Sequence, residues 1–340
     1  MSKTRYILRR LLLAIVVLVG VMQLTFIISR VVPSDPAALY AGPRPNAQQI
    51  ATIRVKLGLD QPLPAQFARS VGSILQGDLG QSFKTRRPIL DDLRAFLPAT
   101  LELVIAATLL AIVVGIPVGV ISAASRGRAF DVFSRLFSVG GVSIPSFWLA
   151  LILQLVFFSA LNWLPLGGRL DNKTALLNPI KTVTGFYTID APITGNWSAW
   201  VDALRHLILP TVVLATYPVG LTIRMIRAAM IEVLAEPYIT AARAAGLPTR
   251  AILFRFALKN AIVPTLTVLG LSFAYSITGA FLVETVFLWP GVGKYVTDAV
   301  LNVDFPVVMA VTLVVTVIYI AINLLTDLLQ AMIDPRVKLG

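Results

Sequence analysis

Six long apolar stretches, separated by polar segments, dominate this sequence. Each stretch can cross the ~30 Å hydrocarbon core of a bilayer, because a crossing needs about 20 residues of helix. A lipid-exposed segment must also satisfy its backbone hydrogen bonds internally, which favours helices. The pattern therefore predicts an all-α polytopic membrane protein with six transmembrane helices, at residues 8–31, 100–124, 136–161, 206–226, 261–288 and 306–328.

Composition excludes several classes of protein. Of the 340 residues, 57% are hydrophobic and 14% are charged, whereas soluble domains average about 45–50% and about 25%. A purely soluble enzyme is therefore excluded. The chain has no cysteine and one histidine, His206, so neither thiolate nor imidazole metal sites are expected. Ser143 is predicted about two helical turns in from the cytoplasmic face and His206 at the outer end of its span, a separation of roughly 20 Å, beyond the hydrogen-bonding reach that a nucleophile and its base require. We predict no catalytic residue and no metal ligand.

The basic residues indicate the orientation of the spans. With the N-terminus in the cytoplasm, the inner segments carry 15 basic and 5 acidic residues, a net charge of +10, and the other side carries +2. Short cytoplasmic loops are enriched in Lys and Arg. We therefore expect both termini to be cytoplasmic, and we attribute the formal net charge of +12 to topology rather than to nucleic-acid binding.

The segments between the spans divide the chain further. We predict an N-terminal transmembrane helix over 1–31, retained because its apolar run exceeds a signal-peptide core of 7–15 residues. Residues 32–99 are expected to form an external segment with short helices, including Gln48–Leu57 and Ala65–Leu75. Residues 162–205 are interpreted as an irregular external loop. The last residues, 331–340, are interpreted as a cytoplasmic tail.

Two acidic residues and one glycine-rich motif lie near the predicted outer interface. Glu102 and Glu284 are expected either to make interfacial hydrogen bonds or to line a hydrophilic path, and both interpretations stay open. The sequence Gly291-Val292-Gly293-Lys294 is similar to the end of a phosphate-binding loop. Leu288 and Tyr295 occupy the positions where that motif requires Gly and Ser or Thr, so we predict a turn here rather than a nucleotide site.

The polar segment between the fourth and fifth spans contains an unusual Ala-rich helix. It runs from Tyr238 to a break at Gly246 and Pro248, and an amphipathic helix with Arg250, Arg255 and Lys259 is expected to follow. This pattern predicts a helix–turn–helix lying along the cytoplasmic surface. Its small side chains would allow another protein to approach closely, although an interfacial helix with positive-inside charges fits the same pattern.

At this segment the sequence resembles the EAA-type coupling loop of permeases from ABC importers. The spacing Ala-Ala-x-x-x-Gly is kept at Ala241, Ala242 and Gly246, with Thr240 in place of the usual Glu. Lys259 stands where many members have Pro. Both departures are usual in the dipeptide, oligopeptide and nickel branch, which has a later proline, here Pro264.

Motifs along the whole chain are similar to that same branch, and most of all to the first permease subunit of dipeptide uptake systems. They comprise Tyr6-Ile7-Leu8-Arg9-Arg10, Leu57-Gly58-Leu59-Asp60-Gln61-Pro62, Gly77-Asp78-Leu79-Gly80, Pro98-Ala99-Thr100-Leu101-Glu102-Leu103, Ile144-Pro145-Ser146-Phe147-Trp148, Leu209-Pro210, Glu284-Thr285-Val286-Phe287, Trp289-Pro290-Gly291-Val292-Gly293 and Asp304-Phe305-Pro306.

The resemblance implies a type I ABC importer permease fold, with a five-helix core over 100–330 that includes the coupling loop 236–260. It implies a multi-pass subunit of the bacterial inner membrane that is not itself an enzyme and holds no cofactor. ATP and Mg²⁺ would bind to two partner ATPase subunits. A homologous second permease would pair with the chain, and a periplasmic binding protein would deliver the substrate.

The resemblance also implies a substrate class and roles for the coupling residues. Dipeptides and oligopeptides are the expected substrates, with nickel, glutathione or opine-like molecules as the alternative. Thr240, Ala241, Ala242 and Gly246 would contact a groove on the ATPases, and Arg243 would add a charge at its rim.

Overall fold

The computed structural model describes residues 3–31, 35–42 and 45–333. Most of the predicted tail, 331–340, lies outside these ranges. Within them the chain is helical and contains no β-strand. Fourteen helices are described: α1 Lys3–Val31, α2 Pro36–Ala41, α3 Ala47–Lys56, α4 Leu63–Leu75, α5 Ile89–Ala124, α6 Ala129–Ser143, α7 Ser146–Ala160, α8 Asn172–Leu177, α9 Tyr187–Ile193, α10 Trp197–Val233, α11 Pro237–Ala244, α12 Thr249–Val286, α13 Val292–Leu301 and α14 Phe305–Ile333.

Five of the described helices are long and apolar enough to cross a membrane: α1, α5, α10, α12 and α14. The predicted span at 136–161 is instead two helices, α6 and α7, which meet at an angle of 106°. Pro145 causes the break, because proline has no backbone N–H and holds the preceding residue in an extended conformation. Ile144 accordingly has ψ 127°. Six crossings result if the bent pair counts as one span.

Several helices begin well before the apolar stretch that predicted them. The fourth predicted span begins at residue 206, but α10 begins at Trp197. The side chain of Asn196 caps this helix by accepting the Ala199 N–H at 3.1 Å, and such caps set the start of a helix independently of hydropathy. The helix α5 also begins before its apolar stretch, at Ile89 rather than at residue 100. The predicted domain boundary at 99/100 therefore falls inside a helix.

The external segment contains the predicted short helices. The helix α3 matches the prediction at 48–57, and α4 matches the prediction at 65–75. A capping box fixes the start of α3, because Asn46 and Gln49 each accept the other's backbone N–H. The segment 162–205 is less irregular than predicted, since it contains α8, α9 and the first turns of α10.

The chain forms two compact units. One comprises Met1–Ile7, Pro98–Lys294 and Ile318–Gly340, and the other comprises Leu8–Leu97 and Tyr295–Val317. In the first unit α10 is the central helix and packs against α12, α6 and the second half of α5. In the second unit the Phe26 and Phe67 rings meet edge to face, with centroids 5.4 Å apart.

Candidate functional site

The predicted coupling helix is α11, and it packs against the hydrophobic core of the unit that contains Pro98–Lys294. Ile239 and Ala242 are buried, and both pack into an apolar cluster shared with α5, α10 and α12. The other members of this cluster are Val120, Ala123, Ile226, Met230, Ile252, Ala257 and Ala261. One side of α11 is therefore attached by apolar packing to α5, α10 and α12.

The other side of α11 is open. Thr240, Ala241, Arg243 and Gly246 are all exposed. The predicted site residues therefore separate into four that a partner could contact and one, Ala242, that faces the interior. Successive residues in a helix are turned by about 100° from each other, so two adjacent alanines can lie on different faces of α11.

Gly246 ends α11 with backbone geometry that favours glycine. Its φ is +76°, a left-handed conformation that costs other residues free energy. The N–H of Leu247 bonds to the carbonyl of Ala242 at 3.2 Å, and the N–H of Gly246 bonds to that of Arg243 at 3.0 Å. This pair of bonds is a Schellman motif. An added Cβ on Gly246 would meet nothing within 4 Å, so backbone conformation and not close packing requires the glycine.

The second arm of the predicted helix–turn–helix is not a separate surface helix. It is the beginning of α12, which runs unbroken from Thr249 to Val286. No glycine or proline lies between Thr249 and Asn260 to end the helix, and residues 252–257 instead form a π-helical turn. Asn260 ties α12 to α11 by donating a hydrogen bond of 2.7 Å to the Tyr238 hydroxyl.

An ion pair that sequence reasoning missed, between the buried Asp131 and the partly buried Arg227, holds α6 to α10 near the same apolar cluster. The Nε of Arg227 lies 2.6 Å from Oδ1 of Asp131, and its Nη2 lies 2.9 Å from Oδ2. Ser122 and the Gly127 N–H also donate to this carboxylate. The distance between Asp131 and Arg227 in the sequence, 96 residues, leaves no local signal of the pairing.

Glu102 is buried, and both of its carboxylate oxygens accept hydrogen bonds. Its Oε2 accepts a hydrogen bond of 2.6 Å from Nη2 of Arg169, and its Oε1 accepts bonds of 2.7 Å from both the N–H and the hydroxyl of Thr188. The guanidinium of Arg169 also lies 3.6 Å from the centroid of the Tyr187 ring. Glu102 thus attaches α5 to the segment before α10.

Glu284 is also buried, and it explains the glycine-rich motif. Its carboxylate accepts the Thr100 hydroxyl at 2.5 Å and the Lys294 N–H at 2.9 Å. A Cβ on Gly291 or Gly293 would lie within 3 Å of the same carboxylate. The motif therefore packs around the chain's own Glu284 carboxyl group rather than around a phosphate.

Two cavities adjoin a pair of tyrosines on the surface of α10 and α12, and polar side chains lie among their mostly apolar linings. The rings of Tyr217 and Tyr275 lie 5.4 Å apart, and Tyr275 is 65% exposed. A cavity of about 490 Å³ on one side of this pair includes Ser272, Thr278 and Tyr319. A second cavity of about 230 Å³ on the other side includes Ser146, Thr216 and Ser276. We call this surface the tyrosine groove.

Comparison with known proteins identifies the family. Residues 115–339 match the family described as the binding-protein-dependent transport system inner membrane component, and residues 3–104 match its N-terminal region. The chain is 48% identical to the probable D,D-dipeptide transport system permease protein DdpB of Escherichia coli K12, over 96% of this chain and 95% of that relative. It is 42% identical to the di/tripeptide transport system permease protein DppB of Pseudomonas aeruginosa, over 98% of each. It is 41% identical to the dipeptide transport system permease protein DppB of Alkalihalophilus pseudofirmus, over 98% of this chain and 99% of that relative. The chain belongs to the family of inner membrane components of binding-protein-dependent transport systems.

Proposed function

We propose that this chain is the permease subunit of an ATP-driven importer of dipeptides and oligopeptides. The observation that carries the proposal is similarity over nearly the whole chain to permeases named for dipeptide or di/tripeptide transport. These names do not favour nickel, glutathione or opine-like substrates. A periplasmic binding protein would deliver the peptide. A homologous second permease would complete the membrane pathway, and the chain would lie in the inner membrane with both termini cytoplasmic.

The energy would come from two ATPase subunits that bind ATP and Mg²⁺, and the chain itself would catalyse nothing. The exposed face of α11 supports the docking of separate ATPase subunits on this chain. Thr240, Ala241 and Gly246 present small groups that fit a groove, and Arg243 adds a charge beside them. Ala242 takes a different role from the one expected, because its burial makes it an anchor that carries movement of α11 into α10 and α12.

The tyrosine groove is the surface that we assign to the peptide path. Tyr275 lies 11 residues before the end of α12 at Val286, about 16 Å along the helix axis, which is about half of the ~30 Å hydrocarbon core. Polar side chains at that depth face a protein partner or a water-filled cavity rather than lipid. Hydroxyl groups can bind peptide amides of any sequence. Glu102 and Glu284 have structural roles in this scheme, since their carboxylates are already occupied.

The coupling role is tested by comparing Gly246→Arg with Gly195→Arg in reconstituted importer complexes. Gly195 is a matched control because its φ is +74° and an added Cβ would also meet nothing within 4 Å. Both variants carry the same backbone strain and the same added charge. We expect only Gly246→Arg to lose ATPase subunits or to hydrolyse ATP without transport. Full subunit stoichiometry and normal transport by Gly246→Arg would overturn the assignment of α11.

The substrate class and the energy source need separate measurements. Uptake of a labelled dipeptide by the complete importer should exceed uptake of nickel or glutathione, and it should require ATP. The isolated chain should not hydrolyse ATP. Mg²⁺-dependent hydrolysis by a preparation free of other subunits would contradict the proposal, as would transport of nickel in preference to peptides.

A further inference from the structure

A second site lies in the compact unit formed by Leu8–Leu97 and Tyr295–Val317. There a cavity of about 480 Å³ opens between the C-terminal end of α1 and the N-terminal end of α14. Its volume falls in the range of small-ligand pockets. Arg30 and Asp78 both line the cavity, and Phe26, Tyr40 and Phe83 add aromatic walls. None of these residues takes part in the coupling surface or in the tyrosine groove.

Arg30 supplies a cation whose hydrogen-bonding capacity is not filled. Its Nε is buried and has no hydrogen-bond partner, while its guanidinium carbon lies 5.1 Å from the centroid of the Phe26 ring. A buried donor without an acceptor is costly. Guanidinium groups bind phosphate and carboxylate oxygens through two parallel N–H bonds. The cavity beside Arg30 therefore fits an oxyanion.

Asp78 supplies the opposite charge on the same cavity wall. One carboxylate oxygen, Oδ1, accepts the Gly80 N–H at 2.8 Å, and a carboxylate can accept further donors. The rings of Tyr40 and Phe83 meet edge to face nearby, with centroids 5.7 Å apart, and the guanidinium carbon of Arg86 already lies 5.2 Å from the centroid of the Tyr40 ring. One cation and one anion in a single cavity fit a ligand that carries both an oxyanion and an ammonium group.

The position of the cavity indicates which zwitterion it takes. The cavity lies at the ends of two candidate spans, and only 11% of the most apolar window of α1 is buried inside the chain. Leu24, Ile27 and Ile28 are each at least 47% exposed next to the cavity, so acyl chains can lie along α1. We propose that the cavity binds a phospholipid with an ethanolamine headgroup. Arg30 binds the phosphate, and Asp78 faces the ammonium.

Native mass spectrometry of the full-length chain tests this site. After partial delipidation, the protein is titrated with phosphatidylethanolamine or with phosphatidylglycerol, which has the phosphate but no ammonium. We expect wild type to retain phosphatidylethanolamine preferentially. Arg30→Gln should lower retention of both lipids by about tenfold, the effect of losing one charge-assisted interaction. Asp78→Asn should abolish the preference between them and keep the phosphate contact.

Two controls protect the interpretation. Arg94→Gln removes an arginine of the same unit that is 72% exposed, and it should leave lipid retention unchanged. Arg30→Lys keeps the charge and should retain more lipid than Arg30→Gln if the fold is intact. The proposal is overturned if Arg30→Gln retains as much lipid as wild type, or if wild type does not distinguish the two lipids. Displacement of the bound lipid by millimolar dialanine would also overturn it, because a peptide would then be the occupant.

Discussion

Arg169 and Glu102 form a buried ion pair, with Nη2 of the arginine 2.6 Å from Oε2 of the glutamate and both side chains less than one-tenth exposed. The pair connects α5 with a segment 67 residues further along the chain. Burial removes both charges from water, so each depends on the other for compensation. This relationship makes Glu102 a structural residue whose removal would leave an isolated buried cation.

Replacing one partner of this ion pair should destabilise the protein more than replacing both partners. We expect Glu102→Gln or Arg169→Met to lower the free energy of unfolding by roughly 3–5 kcal/mol, because the remaining charge is buried and unpaired. The double variant should recover part of this loss. Thermal unfolding of the purified protein in detergent measures the effect. Arg94→Gln breaks an exposed pair with Asp91 and should cost less than about 1 kcal/mol. Equal losses in all variants would show that the buried pair does not matter.

The neighbours Ala241 and Ala242 should respond differently to the same enlargement. Ala242→Leu forces extra methyl groups into the cluster around Ile239 and should destabilise the isolated chain by about 1–3 kcal/mol. Ala241→Leu adds the same volume on the exposed face, so it should leave the stability of the chain unchanged and weaken the attachment of ATPase subunits. Unfolding of the chain alone, and co-purification of the complex, separate the two effects. The assignment fails if Ala241→Leu is as destabilising as Ala242→Leu.

The predicted orientation can be measured by single-cysteine labelling, since the chain has no cysteine. Leu176, which is 81% exposed in α8, should react as Leu176→Cys with an impermeant maleimide added outside intact cells. Arg250→Cys, at the start of α12, should react only after the cells are opened. The charge difference between the two sides is the reason for this expectation. The opposite pattern would reverse the topology.

The tyrosine groove should be accessible to water at a depth where lipid-facing positions are not. Thr278→Cys should react with a charged methanethiosulfonate reagent in the assembled importer, and added dipeptide should slow the reaction. Val113→Cys is the control, since Val113 is an apolar residue of α5 that is 68% exposed. Tyr275→Ala should reduce transport without loss of ATPase subunits. An unreactive Thr278→Cys would move the path elsewhere.

Asp190 should make stability depend on pH. Burial by itself raises the pKa of this carboxyl, but hydrogen bonds from Thr184, Val183 and Gly185 outweigh burial and hold the pKa below its ordinary value. The carboxylate therefore stabilises the fold fully above the unfolded pKa of about 4, and this contribution declines as the pH falls from there toward the folded pKa. Asp190→Asn should unfold at lower temperature at neutral pH and lose less stability on acidification. Parallel slopes in both proteins as the pH falls from about 5 to about 3 would contradict this prediction.

The spans and the short surface helices were predictable because their causes are local. Hydrophobic length is enough to identify α1, and the capping box of Asn46 and Gln49 lies within four residues of sequence. Hydropathy alone predicts the third span wrongly. It indicates one straight helix, but Pro145 divides this span into two helices with a bend of 106°. The sequence pattern predicts two helices where the structure has the single long α12, because the first turns of α12 are more polar than the rest.

Apolar length and the glycine at 246 act through neighbouring residues, so both the membrane-crossing character of the chain and the end of α11 can be predicted from sequence. The packing of the folded chain, in contrast, turns Ala242 inward and Ala241 outward, and it brings Arg227 to compensate Asp131. It likewise places the glycine-rich motif after α12 around Glu284. Each of these outcomes depends on side chains brought together from distant parts of the chain. Burial and charge compensation are properties of that assembled environment, which no single segment of sequence contains.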